Sequence, residues 1–96
     1  MAEVKLLGKL REITGVATEE VELSQVRQVL DWLTERFGPA LAQLLFPEGD
    51  GTELSGDIYI LVNGRNIGFL DGVNTNLKPD DRVTILYHGA RGYPGG

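Results

Sequence analysis

Hydrophobic and polar residues alternate with period two at the start of this chain. In residues 3–8, Glu3, Lys5 and Leu7 fall on one side and Val4 and Leu6 on the other. That is the pattern of a strand with one buried face. Residues 18–23 alternate again, with Val21 and Leu23 inward and Glu20 and Glu22 outward. The two segments are close enough in sequence to pair as an antiparallel hairpin. Residues 9–16 join them as a connection with a turn at Gly15. The period then changes. Val26, Val29, Leu30, Leu33 and Phe37 recur at helical spacing and form one apolar stripe. Ser24 stands ahead of them as a candidate N-cap, and Gly38-Pro39 stops the helix in the order of a C-terminus. Trp32 lies off the stripe, a position of partial burial. Residues 40–46 predict a second short helix or turn.

Residues 47–56 hold three glycines, a proline and three acids, which predicts an exposed loop. Residues 57–62 are the most β-like run. Asn63-Gly64 after them predicts a tight turn, with a short strand around residues 65–69 pairing back. Asp71-Gly72 and Lys78-Pro79-Asp80-Asp81 mark two further turns. Residues 82–87 are the final strand, with Val83 and Ile85 on one face and Thr84 and Leu86 on the other. The order β-β-α-(α)-β-β-β predicts an α+β domain, a mixed sheet packed on one main helix. The helix must lie across the first hairpin and the last strand to cover their apolar faces. The last strand then leads into residues 89–96 beside one sheet edge. By the same alternation Leu61 and Leu86 point away from the helix. They should neighbour each other on the exposed sheet face, with Phe69 as a candidate extension.

Ninety-six residues bound one domain. The expected division is a folded body over residues 1–88 and a tail over residues 89–96. Half of the tail is glycine, and it contains Arg91, Gly92, Tyr93, Pro94, Gly95 and Gly96. Such a stretch buries too little apolar surface to offset its ordering entropy, so a flexible arm is predicted. Glycine at position 96 leaves the α-carboxylate without a neighbouring side chain, so a partner can draw it down a channel too narrow for a Cβ. The body has no apolar run near the ~20 residues needed to span a membrane, and no secretory signal. A cytoplasmic location with no membrane partner is the expectation.

Cysteine is absent, which excludes disulfides, thiolate metal sites and a cysteine nucleophile. There is one histidine, His88, and there are two serines, Ser24 and Ser55. No metal site and no bound cofactor are expected. The net charge is -5, and the six arginines and three lysines are scattered, which argues against nucleic acid as a partner. Asp80 and Asp81 are paired carboxylates without a basic or metal-binding companion, and read as turn formers. His88 reads as a solvated side chain.

Four pieces carry a family likeness: Leu10-Arg11-Glu12-Ile13-Thr14-Gly15, Ile60-Leu61-Val62-Asn63-Gly64, residues 77–85, and Gly95-Gly96. In that order and spacing the chain resembles the β-grasp sulfur carriers of the ubiquitin-like superfamily. It is most similar to the MoaD/ThiS type, which includes the small subunit of molybdopterin synthase. The resemblance implies a ubiquitin-like β-grasp fold and a carrier role. An E1-like adenylating enzyme of the MoeB or ThiF type would join the Gly96 carboxylate to AMP, using ATP. A sulfur donor would convert the acyl-adenylate to a C-terminal thiocarboxylate. The thiocarboxylate would then donate sulfur in the pocket of a molybdopterin synthase-like large subunit. Gly96 would be the reacting residue, with Gly95, Pro94, Tyr93, Gly92 and Arg91 in the channel. Leu61, Leu86 and Phe69 would form the partner-binding face. Leu86-Tyr87-His88 stands where the family usually runs through a Phe-Pro-Pro-type segment, and the tail is several residues longer. A carrier for tungsten cofactor, thiamine or another sulfur-requiring pathway fits as well. A ubiquitin-like modifier conjugated to lysines through Gly96, or a passive β-grasp binding domain, are the competing functions.

Overall fold

The computed structural model describes residues 1–47 and 54–87. Strand β1 (Ala2–Leu7) buries Ala2, Val4 and Leu6 and leaves Glu3, Lys5 and Leu7 on the opposite face. Gly8 follows with φ 59 and ψ -127, a positive-φ conformation that glycine, lacking a Cβ, adopts at little cost. It turns the chain into α1 (Lys9–Thr14), where a plain connection is expected from the sequence. Six residues are too few to display a helical period. The single inward residue, Leu10, is fully buried. Gly15 ends α1, donating its N–H to the Arg11 carbonyl, so the predicted turn is the helix terminus. The Thr14 hydroxyl closes the same turn on the Leu10 carbonyl at 2.9 Å.

Strand β2 (Thr18–Val21) pairs antiparallel with β1, as the hairpin pattern predicts. Helix α2 (Val26–Phe37) buries Val26, Val29, Leu30 and Leu33, the predicted stripe, while Phe37 and Trp32 are half-buried. The cap differs from expectation. Gln25, not Ser24, occupies the N-cap position, and no side chain caps the helix there. Gln28 instead reaches back, its Oε1 accepting from the Ser24 N–H and hydroxyl at 2.8 and 3.1 Å. Gly38 separates α2 from α3 (Pro39–Leu45), which buries Leu41 and Leu45. The second short helix is thus present, with proline at its first turn.

Strand β3 (Ile58–Val62) and the two-residue β4 (Arg65–Asn66) flank Asn63 and Gly64, at φ 52 and 84. Two consecutive positive φ values define the tight hairpin turn that Asn-Gly favours. The strand expected over residues 65–69 stops after Asn66. The Asn66 side chain accepts from the Gly68 N–H at 2.8 Å and folds Ile67–Phe69 into a 3-10 turn that buries Ile67. A second such turn covers Gly72–Asn74. Strand β5 (Arg82–Tyr87) completes the sheet.

The strand order is β2-β1-β5-β3-β4, with β1 and β5 parallel and the other pairs antiparallel. One core holds Val4, Leu6, Leu10, Val29, Leu30, Leu33, Leu41, Ile60, Val83 and Ile85. Among the described residues, the helices pack on one face of the sheet and leave the other open. The strand leading to residues 88–96 is therefore central, not beside a sheet edge as the sequence suggested. Its neighbours on both sides could only be assigned from non-local pairing.

Candidate functional site

The open face can be read row by row, because paired residues on neighbouring strands point the same way. The first row is Glu20, Glu3 and Arg82, the second Thr18, Lys5, Thr84, Leu61 and Asn66, the third Leu7, Leu86 and Tyr59. The first row is charged. Arg82 Nε lies 3.9 Å from Glu3 Oε1 across the β1–β5 pair, both side chains being well exposed. Such a pair contributes little to stability. The third row is apolar, and lies at the end of β5 that leads to residue 88. The face is therefore graded from charged to apolar along β5.

Leu61 and Leu86 both lie on this face, as alternation predicts, and both are half-buried. They are diagonal neighbours and not direct partners: Leu86 stands opposite Tyr59, and Leu61 opposite Thr84. Phe69 is 85% exposed, but it sits on the 3-10 turn beyond β4, outside the rows. Two residues of the apolar row, Leu7 and Tyr59, were not singled out from the sequence. The signal was there: Leu7 alternates outward in β1, and Tyr59 shares the parity of Leu61. What was lacking was the β1–β5 and β3–β5 register that sets both beside Leu86. Tyr59 is 42% exposed, a large apolar ring on an open face.

The charged end of β5 is fixed by a polar network. Asn63 Nδ2 donates to Asp81 Oδ1 at 2.9 Å, and the Arg82 N–H donates to Asn63 Oδ1 at 2.9 Å. The Lys78 N–H donates to Asp81 Oδ2 at 2.8 Å. The Glu3 N–H donates to the Asp81 carbonyl at 3.0 Å. The Lys78 N–H above all, and then the Asn63 amide, hold the Asp81 carboxyl below its ordinary range, since both favour the charged form. Asp81 is thus the turn former that the sequence suggests. Asp80 is an exposed residue of the same turn.

The apolar end is flanked by α1. A Cβ at Gly8 would lie 4.0 Å from Leu86 Cδ1, and Lys9 Nζ lies 5.7 Å from the centroid of the Tyr87 ring. Gly96, Gly95, Pro94, Tyr93, Gly92, Arg91 and His88 fall outside the described residues. Among the described residues no group of three or more His, Cys, Asp or Glu is arranged to hold a metal ion. No helix of the described residues is long and apolar enough to cross a membrane.

A family model described as the ThiS family matches residues 4–90. Over 67 residues the chain is 34% identical to a candidate sulfur carrier protein of Archaeoglobus fulgidus, covering 70% of this chain and 73% of that one. Its structure is similar to that of small archaeal modifier protein 1 of Methanosarcina acetivorans. There the identity is 38%, the TM-score 0.81 and the coverage 93% of each chain. It is also similar to a chain in the BexX/CysO complex of Amycolatopsis orientalis, at 25% identity and TM-score 0.74, covering 91% of this chain and 94% of that one. The five-stranded mixed sheet on one main helix is the ubiquitin-like β-grasp fold.

Proposed function

The chain belongs to the ThiS family of ubiquitin-like sulfur carriers, and on that premise we propose that Gly96 is the residue on which sulfur is carried. The observation that supports this reading most is the apolar row Leu7, Leu86 and Tyr59. It lies on the open face at the end of β5 that leads to the Gly95-Gly96 segment. A partner seated on that row stands beside the strand from which the segment departs. Leu61, one step away, widens the row.

A carboxylate is a poor electrophile, because its charge repels nucleophiles and it offers no leaving group. In the proposed route a Gly96 carboxylate oxygen attacks the α-phosphorus of ATP in an E1-like adenylating enzyme of the MoeB or ThiF type. Pyrophosphate departs and an acyl-adenylate forms. A donor at the level of hydrosulfide adds to the acyl carbon. The C–O bond to AMP breaks, AMP leaves with the electron pair, and loss of the proton gives a thiocarboxylate. The unbranched glycine leaves the acyl carbon open to approach. ATP serves the activating enzyme and is not a resident cofactor of this chain. The proposed acceptor is a cofactor precursor of the molybdopterin, tungsten-cofactor or thiamine kind, presented by a large subunit like that of molybdopterin synthase.

A second reading is favoured by the 38% identity to an archaeal modifier protein. In it a lysine amine of another protein attacks the same acyl-adenylate and forms an isopeptide bond. The two readings share activation and differ in the nucleophile. Deleting Gly95 and Gly96 should abolish ATP–pyrophosphate exchange by the adenylating enzyme of the same host. Exchange that survives the deletion removes Gly96 from both readings. Lysine-linked adducts in host lysate would favour the modifier.

A further inference from the structure

We propose that Lys9 is a positioning residue that pins the end of β5, and so presents the segment beyond it to an activating enzyme. This inference rests on the carrier reading for its function, but not for its geometry. The β1 ladder ends at the Leu7–Leu86 pair, one residue short of the end of β5. Tyr87 is therefore paired through Ile58 on the β3 side, while β1 offers it no partner residue. α1 fills that position. Gly8 turns the chain beside Leu86, and Lys9 at once sets its ammonium 5.7 Å from the Tyr87 ring centroid. That separation is within the reach of a cation–π attraction.

Tyr87 is half-buried and packs against the core, and the Lys9 ammonium lies over its ring. Leu10, the next residue, is fully buried and fixes α1 in place. The clamp is thus anchored at both ends. A terminal group must reach a catalytic centre on another protein, and a fixed root reduces the orientations lost on docking. Once docked, the enzyme itself holds the root. Loss of the clamp should therefore raise KM for the carrier and leave kcat unchanged.

The test uses the full chain with four substitutions. Lys9→Met keeps the aliphatic stem and removes the charge, and Lys9→Arg restores a cation over the ring. Tyr87→Phe keeps the ring, and Tyr87→Leu removes it. The first readout is amide hydrogen exchange at Leu86 and Tyr87 in the isolated protein. Lys9→Met and Tyr87→Leu should exchange faster there by about two- to five-fold, the scale of one exposed cation–π contact. Lys9→Arg and Tyr87→Phe should match the parent. The second readout is ATP–pyrophosphate exchange with the host's adenylating enzyme, where KM should rise by a similar factor in the same two variants. Equal amide exchange in all five proteins would overturn the clamp. Faster amide exchange with unchanged KM would overturn its role in presentation. A parent that is not activated would overturn the carrier reading, while the amide exchange still decides the clamp.

Discussion

Asn63 shows how much one side chain settles. Its φ of 52 opens the β3–β4 turn, and its amide joins that turn to Asp81 and Arg82 at the start of β5. The turn was legible from Asn63-Gly64. The link to Asp81 was not, because nothing in an eighteen-residue separation marks two side chains as partners. Asp81 carries the consequence. Its carboxyl titrates below the ordinary range, held there by the Lys78 N–H and the Asn63 amide. It stays charged in the fold at pH values where the unfolded chain has begun to protonate. Its contribution to stability is complete well above the unfolded value of 3.8, begins to fall as the unfolded chain protonates, and is lost as the pH falls through the lowered folded value. Asp81→Asn should lower Tm at neutral pH and flatten the fall of Tm in the acid range. Thermal melts over a pH series check this, and a parallel fall in both proteins would count against it. Gly64, at φ 84, is the other sensitive position. Gly64→Ala should cost about 1 kcal/mol through left-handed strain alone.

At the scale of elements, α1 carries the clearest expectation. Leu10 is fully buried under a six-residue helix. Leu10→Ala should cost about 2–5 kcal/mol, measured by denaturant unfolding. A cost near zero would mean that α1 is not packed as described. This helix was invisible to periodicity because one inward residue in six makes no pattern. The long helix α2 was legible to its last turn because four buried residues repeat at the helical period. β3 and β5 were legible for the same reason at period two. β4 is shorter than the alternation suggests: Ile67 continues the pattern of a strand, but Asn66 captures the Gly68 N–H and the chain turns. The edges of the sheet are β2 and the two-residue β4, and β2 is the longer one, where a strand could recruit another chain. Glu19 on its inner side is bridged by Arg36 of α2 at 2.8 Å, which keeps a charge at that edge.

On the whole molecule, alternation alone sorted each strand into an inner and an outer face. It left open which strands lie side by side, so the row Leu7, Leu86 and Tyr59 was only half seen. Leu86→Asp tests that row. The residue is half-buried on the face away from the helices, so the variant should keep its fold by circular dichroism while losing most of its affinity for the adenylating enzyme. Unfolding of that variant would make Leu86 part of the core instead. The central claim concerns Gly96. Its most direct measurement is the mass of the peptide containing Gly95-Gly96, after incubation with the host's adenylating enzyme, ATP and a sulfide donor. The account predicts a mass gain of one sulfur for one oxygen at Gly96, dependent on ATP. An unchanged peptide under conditions where ATP is turned over, or sulfur found at another residue, would contradict it.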